Sequence, residues 1–259
     1  MLLNAENLPR ITPETALFLD FDGTLVALAA QPELVQVPEG LAGTLAELHR
    51  LLNGALALVS GRRILDLDGF LAPLMLAAAG EHGAQRRTAD GLMISAPPAD
   101  LGALLQTAQG LVDRHPALRL ERKNLALSLH YRQAPELESL CLQVMREALE
   151  RSQGIEMMQG KCVIDLKPEG FSKGTAIEFF MAETPFAGRI PVFAGDDVTD
   201  EAGFEAVQRM GGHAIKVGPE ATLARHRCDG VPQLAAWLQS AVVSLSGPGW
   251  PVRPARFAA

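Results

Sequence analysis

Short apolar segments alternate with helical segments along most of the chain, and this alternation restricts its fold more than any other feature. The apolar segments are 16–21, 55–63, 74–83, 190–197 and 213–218. Residues with the spacing of amphipathic helices occupy 40–54, 174–183, 199–211 and 231–242. Strands that are apolar throughout are typical of sheets covered on both faces. The pattern therefore predicts the α/β class, with a doubly wound, Rossmann-like parallel sheet.

The middle of the chain has a different order, in which a helix is followed by two strands, twice over. The helical stretches and strand pairs are, in turn, 99–115, 118–132, 135–152 and 155–167. Antiparallel strands with helices on one side fit this order, which predicts a smaller inserted α+β domain. We expect the insert to span 97–167 and the core to comprise 1–96 and 168–259.

Composition excludes several classes of protein. The chain has 259 residues, a net charge of −7 and 5% aromatic residues, which argues against a nucleic-acid binder. Its three cysteines form no CxxC pair, so neither a disulfide framework nor a zinc site is expected. No apolar run approaches the ~18 residues of a membrane span, and the first residues do not resemble a secretion signal. We expect a cytoplasmic monomer without a membrane partner.

Polar clusters follow four of the predicted strands. Asp20 and Asp22 come at the end of the first, and "SGR" (60–62), "GEHG" (80–83) and "GDDVTD" (195–200) end three others. Ligands of an open α/β sheet bind beyond the carboxyl ends of its strands, so these clusters should share one edge. Five acids would then meet there: Asp20, Asp22, Asp196, Asp197 and Asp200. So many like charges require a hard divalent cation, and oxygen ligands of this kind suit magnesium.

A candidate anion site accompanies these acids. Lys173 lies in the glycine-flanked segment "KPEGFSKGTA", directly before a predicted helix, and a helix N-terminus favours phosphate. Ser60 opens the "SGR" turn and can donate its hydroxyl to the same anion. The motifs of P-loop proteins, dinucleotide-binding proteins, EF-hands and serine hydrolases are all absent from the sequence.

Four motifs follow one another along the chain: DxDGT, a serine at the end of a strand, a lysine directly before a helix, and GDDxxD. In this order they resemble the haloacid dehalogenase-like (HAD) phosphatase superfamily. The resemblance implies that Asp20 is the nucleophile and carries a transient aspartyl-phosphate. Magnesium would bind Asp20, the backbone carbonyl of Asp22, and Asp196. Asp22 would also be the general acid and base.

The same resemblance implies supporting roles for neighbouring residues. Ser60 and Lys173 would hold the phosphoryl oxygens, and Thr24 would fix the loop that follows the nucleophile. Asp197 and Asp200 would hold the metal ligands in place without binding the metal themselves. The insert between the Ser60 and Lys173 motifs resembles the C2-type cap domain of the superfamily.

Further stretches resemble the trehalose-6-phosphate phosphatase family. They include "VSGR", "GEHG", "LERKNLALSLHYR", "IDLKPEGFSKG" and "VFAGDDVTDEAGFEAV". The resemblance implies a sugar phosphate substrate contacted by cap charges at Glu121, Lys123 and Asp165, the last a position where the family often has Glu. Other positions that match the family signature and are expected to bind substrate are Arg62, His82, Gly83, Asn124, His130 and Arg132.

Several alternatives remain open at this point. The acids after the first strand alone would be ordinary loop residues, and Asp197 and Asp200 alone would cap a helix. A related sugar phosphatase, acting on sucrose phosphate or mannosyl-phosphoglycerate, has the same motifs. A metal-dependent glycosyltransferase would use an acidic pair without needing Lys173, and a regulatory protein without activity could keep the fold.

Overall fold

A computed structural model of the chain describes residues 8–29 and 31–247. Within these residues the strands form two separate sheets, one of eight strands and one of four. In chain order the elements are β1 (Thr15–Leu19), α1 (Leu41–Leu51), β2 (Leu56–Val59), α2 (Ile64–Leu71), β3 (Ala77–Gly80), β4 (Gln85–Arg87), β5 (Met93–Ser95), α3 (Gly102–Arg114), β6 (Arg119–Arg122), β7 (Leu127–His130), α4 (Glu138–Leu149), β8 (Ile155–Gly160), β9 (Val163–Pro168), α5 (Lys173–Met181), β10 (Ile190–Gly195), α6 (Glu201–Arg209), β11 (His213–Val217), β12 (His226–Cys228) and α7 (Val231–Ser246).

The larger sheet has the order β12-β11-β10-β1-β2-β3-β4-β5. The strands from β12 to β3 run parallel, whereas β4 and β5 continue the sheet in antiparallel pairing. From β1 the chain moves outward in one direction through β2 and β3, and later in the other through β10, β11 and β12. This is a doubly wound sheet, and the predicted fold class is confirmed.

Apolar packing holds the helices against this sheet. Every residue of β1 is buried, as expected for a central strand covered on both faces. In α1 the residues Leu41, Leu45 and Leu48 form the buried stripe, and α1 packs against α7. On α5 the Phe180 ring lies 6.0 Å from the Phe18 ring of β1, between centroids, so the helix that begins at Lys173 is fixed to the central strand.

The smaller sheet has the order β6-β7-β9-β8 and is antiparallel throughout. Helices α3 and α4 pack together and contact its strands. Their buried residues form a hydrophobic cluster of their own, which includes Leu104, Leu129, Met145 and Ile164. The boundary proposed at 96/97 falls between β5 and α3, and the one at 167/168 falls at the last residue of β9. These domain limits stay a prediction.

Four elements of the larger sheet and its surroundings were not expected. Helix α2 follows β2, strand β5 ends the sheet beside β4, and β4 and β12 are short strands rich in charged or polar residues. The arginines of β4 are buried because each has a partner: Arg86 pairs with Glu183 at 2.7 Å, and Arg87 pairs with Asp68 at 2.7 Å. A sequence pattern based on apolar runs cannot detect such strands.

Among the residues that the structure describes, no helix has the length and apolar character needed to cross a membrane. The parallel arrangement of β1, β2, β3 and β10 brings their carboxyl ends to one edge of the larger sheet. The segments that follow them, beginning at Asp20, Ser60, Glu81 and Asp196, therefore lie side by side.

Candidate active site

Asp20 and Lys173 form the buried centre of this edge. The Lys173 Nζ donates to Asp20 Oδ1 at 2.8 Å and to Asp200 Oδ1 at 2.7 Å. Thr24 donates its hydroxyl to the other Asp20 oxygen, Oδ2, at 3.2 Å. Lys173 reaches this place because it is the first residue of α5, whose N-terminus is fixed by a capping box between Ser172 and Thr175.

Three carboxylates share this centre with one ammonium group. One oxygen each of Asp20, Asp196 and Asp200 lie within 4.8 Å of one another. Burial, reinforced by the neighbouring Asp200, raises the pKa of Asp196 to about 7. Burial also raises the pKa of Asp20, against the opposing effect of Lys173. The site therefore favours a further positive charge, which would let both acids ionise.

The donor set of this cluster fits magnesium. Its candidate ligands are carboxylate and backbone oxygens, which hard divalent cations prefer. A close approach of backbone to carboxylate is built into the loop: a Cβ on Gly23, whose φ is +76°, would lie 2.1 Å from Asp196 Oδ2. Only glycine lets the segment after Asp22 pack against Asp196 in this way.

The carboxylates of the other two predicted acids accept hydrogen bonds from groups outside this cluster. Asp22 accepts two hydrogen bonds from Arg62, at 2.6 and 2.7 Å, on the wall of the same cleft. Asp197 accepts from the backbone N–H of Val198 at 2.8 Å and from that of Lys161 at 3.2 Å. The structure thus brings together three of the five acids expected at this edge, with Asp200 among them.

Ser60 and Lys216 lie beside the acid cluster. Ser60 is buried, and its Oγ accepts the backbone N–H of Arg62 at 3.2 Å. Lys216 is buried at the end of β11, where its ammonium donates to the backbone carbonyl of Asp196. Lys216 was missed by sequence reasoning because it interrupts an apolar strand segment without belonging to any recognised motif.

The cap contributes a second polar cluster across the cleft. Lys123 Nζ donates to the Gly61 carbonyl of the core at 2.8 Å and lies 3.5 Å from Asp165 Oδ1. Asp165 is buried, accepts the Ser128 hydroxyl, and lies 3.2 Å from His82 Nε2 of the core. Burial alone would raise the pKa of Asp165, but Lys123, His82 and Ser128 hold it well below its usual range.

A further pair lies on β6 and β7 of the cap. His130 Nε2 is 2.9 Å from Glu121 Oε2, and both residues line the cleft. Although burial opposes it, the contacts with His130 and Lys123 lower the pKa of Glu121. In the cap, each of the two acids that line the cleft therefore has a cationic or hydrogen-bonding partner of its own.

One cavity of about 800 Å³ joins the two clusters. The predicted site residues that line it are Asp20, Asp22, Ser60, Arg62, His82, Glu121, Lys123, His130, Arg132, Asp165, Lys173, Asp196 and Asp197. Thr24 and Asp200 lie behind this surface and contact Asp20 and Lys173, respectively.

Gly83 and Asn124 do not line the cavity, although both were expected to bind substrate. A Cβ on Gly83, at φ +101°, would lie 2.5 Å from the Ser172 carbonyl oxygen, so this glycine permits close packing against the start of α5. Asn124 is exposed and gives its backbone N–H to Glu81. Glu81 itself was missed as a candidate although it lies inside the "GEHG" segment.

Comparison with known proteins agrees with this geometry. The family model described as trehalose-phosphatase matches residues 18–228. Trehalose-6-phosphate phosphatase of Escherichia coli (strain K12) is 40% identical over 242 residues, which cover 92% of this chain and 90% of that protein.

Solved structures show the same fold. The C-terminal domain of C. albicans trehalose-6-phosphate phosphatase matches with a TM-score of 0.79 at 19% identity, over 88% of this chain and 92% of that one. A haloacid dehalogenase-like hydrolase from B. subtilis matches with a TM-score of 0.61 at 12% identity, over 86% and 99%. The chain therefore shares the fold of both structures. The matched segment includes the acid cluster at the sheet edge and the four-stranded sheet with its helices, and the chain belongs to the trehalose-phosphatase family.

Proposed function

We propose that this protein hydrolyses trehalose 6-phosphate to trehalose and phosphate, with magnesium and through an aspartyl-phosphate on Asp20. The observation that carries the proposal is the single cavity that joins the buried Asp20–Lys173–Asp196 cluster of the core to the polar cluster of the cap. The name of the Escherichia coli relative supplies the substrate. Family membership also sets aside the glycosyltransferase hypothesis.

Asp20 would attack the phosphorus atom, with loss of the sugar alcohol as the leaving group. Its pKa must fall for it to act as a nucleophile, because burial and the nearby acids favour its protonated form. Lys173, whose ammonium is held charged by Asp20 and Asp200 in spite of its burial, would hold phosphoryl oxygens together with the Ser60 hydroxyl.

Magnesium would be held by the carboxylates of Asp20 and Asp196 and by the backbone carbonyl of Asp22. When bound, it supplies positive charge that neutralises the acids and the phosphoryl oxygens. Asp200 would keep Lys173 in place, through the 2.7 Å contact, so that the ammonium does not have to leave the cluster. Asp197 would order the loop by accepting the backbone N–H groups of Val198 and Lys161.

Asp22 would take up a proton on leaving the Arg62 pair, give it to the departing sugar oxygen, and as a carboxylate then deprotonate the water that hydrolyses the aspartyl-phosphate. Its carboxylate pairs with Arg62, whose guanidinium lies over the rings of Phe21 and Phe70 at 5.6 and 4.8 Å from their centroids. The aromatic contacts fix Arg62, so Asp22 has a defined resting position from which it must turn toward the substrate.

The cap cluster would bind the sugar hydroxyls. The cap residues of the proposed site that line the cavity are Lys123, Glu121, Asp165, His130 and Arg132. Burial lowers the pKa of His82, against the opposing effect of Asp165, and this favours the neutral ring. With its Nε2 toward Asp165, the Nδ1 of that ring is a buried acceptor without a partner among the described residues. A hydroxyl-rich substrate offers such donors and acceptors, and a wrong ligand leaves them unpaired.

The cap is proposed to open for substrate entry and to close over the reaction, which excludes water. Every residue assigned to the proposed site belongs to one chain, so a monomer suffices for activity. The proposed compartment is the cytoplasm.

The test is phosphate release from a panel of trehalose 6-phosphate, sucrose phosphate, mannosyl-phosphoglycerate and glucose 6-phosphate, with and without EDTA. We expect kcat/KM for trehalose 6-phosphate to exceed the others by about 100-fold, because the cap must match both sugar rings. A higher value for sucrose phosphate or mannosyl-phosphoglycerate would assign the protein to that rival activity. Full activity in EDTA would remove magnesium from the proposal.

A further inference from the structure

Glu81 joins the core to the cap through its side chain. It lies in the turn after β3, its side chain is fully buried, and both carboxylate oxygens accept hydrogen bonds from cap backbone. Oε2 accepts the Leu125 N–H at 2.7 Å, and Oε1 accepts the Asn124 N–H at 3.2 Å. Both donors belong to the turn between β6 and β7. A buried carboxylate that binds two backbone N–H groups makes strong, directional contacts.

The turn that carries Glu81 has an unusual backbone. Glu81 and His82 have φ values of +49° and +57°, which side-chain-bearing residues rarely adopt, and Gly83 follows at φ +101°. The surrounding core holds the turn in this form: the Glu81 N–H donates to the Arg62 carbonyl at 2.8 Å, and the His82 N–H donates to the Ser60 carbonyl at 3.0 Å. Such strain persists where neighbouring structure enforces it, often at functional sites.

These contacts connect Glu81 with the elements of the phosphate site. The Ser60 and Arg62 loop supports the turn from one side, and Gly83 packs against Ser172 directly before Lys173. The position of the Glu81 carboxylate is therefore determined by the same loops that position Ser60 and Lys173.

The cap turn that Glu81 holds carries Lys123. Lys123 precedes the two bound N–H groups, and its ammonium donates to the Gly61 carbonyl of the core. The residue after Glu81, His82, contacts Asp165 on β9, so adjacent core residues contact two different parts of the cap. Loss of the Glu81 contacts would free the 123–126 turn while leaving the cap's own hydrophobic cluster intact.

We propose that Glu81 is a positioning residue that docks the β6–β7 turn onto the core and so places Lys123 opposite the phosphate site for sugar recognition. The proposal rests on the proposed function in its second part, since it takes a sugar phosphate as the substrate. A carboxylate serving only core stability would have no reason to point both oxygens at backbone donors of the other domain.

The test is the variant Glu81→Gln, which keeps the size of the side chain but turns one acceptor into an amide that cannot accept the second N–H. We expect amide hydrogen exchange at Asn124 and Leu125 to accelerate by about tenfold or more, with the amides of β7 unchanged. We expect kcat/KM for trehalose 6-phosphate to fall by about tenfold, and that for p-nitrophenyl phosphate, which needs no sugar contacts, to stay within about twofold.

Glu183→Gln is the matched control, because it removes a carboxylate of the core that pairs with Arg86 and touches no cap residue. It should leave both the exchange rates and the substrate preference as in the wild type. Should Glu81→Gln not fold, judged by circular dichroism, Glu81→Asp keeps the charge, shortens the reach, and is expected to show the same two changes.

Unchanged exchange at Asn124 and Leu125 in a folded variant would overturn the docking contact, whatever the substrate. Faster exchange with equal losses on both substrates would overturn the link to sugar recognition. A wild-type protein inactive on every sugar phosphate would instead refute the proposed function, and the exchange measurement would still decide the docking contact.

Discussion

The core half and the cap half of the cavity differ in how their acidic side chains are paired with positive charge. In the core, the ammonium of Lys173 pairs with Asp20 and Asp200, that of Lys216 binds the backbone carbonyl of Asp196, and burial still raises the pKa of Asp20 and Asp196. In the cap, Asp165 has Lys123, Ser128 and His82 as partners, and its pKa is held low. The core cluster thus has more carboxylates than ammonium groups, whereas Asp165 of the cap is balanced by Lys123 and Ser128 of the cap and by His82 of the core.

This difference indicates what each half is built to receive. An unbalanced acid cluster gains most from a divalent cation, whose charge then attracts a phosphoryl group. A balanced cluster gains little from a charge, but it presents donors and acceptors that match hydroxyl groups. The two halves of one cavity thus fit the two halves of a sugar phosphate. A substitution in the core half should therefore leave sugar recognition intact, and one in the cap half should leave phosphate chemistry intact.

Asp20→Asn should have the largest effect, because it removes the proposed nucleophile and leaves the buried scaffold in place. We expect kcat on trehalose 6-phosphate and on p-nitrophenyl phosphate to fall together, by about 10⁴-fold or more. The melting temperature should not fall, since the variant relieves one of three crowded carboxylates. Asp113→Asn, on the exposed side of α3, is the control and should keep full activity. Measurable turnover near the wild-type rate would refute the nucleophile assignment.

Removal of magnesium should have the second largest effect on activity. EDTA is expected to lower kcat/KM by about 10³-fold, and added Mg²⁺ should restore it. The pKa of Asp196 is raised to about 7, so below pH 7 the metal must displace a proton, whereas above pH 7 the carboxylate is already free. Magnesium affinity measured by titration calorimetry should therefore weaken by about tenfold for each pH unit below 7. An affinity that stays constant from about pH 5 to about pH 8 would contradict a protonated cluster.

The cap half is expected to depend on pH in a lower range than the core half. The pKa of Asp165 is depressed in the folded protein, so its contribution to stability is complete above the unfolded value of about 3.9 and is lost as the pH falls toward the folded value. Asp165→Asn should lower the free energy of unfolding by about 3 kcal/mol at neutral pH, as expected when a buried charge pair is broken.

Denaturant unfolding at neutral pH and near pH 3 measures this dependence. The penalty of Asp165→Asn should shrink at the lower pH, because the unfolded wild-type chain then binds a proton that the folded chain does not. Asp113→Asn again serves as the control, with no pH-dependent penalty. A penalty that grows on acidification would contradict the depressed pKa and with it the balanced charge of the cap.

The gathering of Asp20, Ser60, Lys173 and Asp196 could be predicted from the sequence for a physical reason. Three of them follow apolar runs, parallel strands end at one edge, and a lysine at the start of a helix points to the same place. These relations depend only on backbone order, which periodicity reveals.

The direction of individual side chains was beyond such reasoning. Asp22 turns to Arg62 because a guanidinium lies within reach on the next loop, 40 residues away in the chain. Gly83 and Asn124 serve packing and backbone hydrogen bonding, although they belong to segments that resemble the family signature. The pairing of Glu81 with the cap needs knowledge of how the two domains meet, and strands β4 and β12 lack the apolar pattern that identifies β1 or β10.

Lys123→Ala offers the smallest effect and the sharpest separation of the two halves. The side chain is buried between Asp165 and the Gly61 carbonyl, whereas the ammonium of Lys173 pairs with Asp20 and Asp200. We expect KM for trehalose 6-phosphate to rise by about tenfold, with a change of no more than about twofold for p-nitrophenyl phosphate, since only the sugar loses a contact. Arg146→Ala removes a positive charge from an exposed position of the cap, on α4 and outside the residues that line the cavity, and should change neither constant by more than about twofold. Equal rises in KM for both substrates would mean that Lys123 acts on the phosphate half of the substrate. The proposal that the core binds the phosphate and the cap binds the sugar would then be wrong.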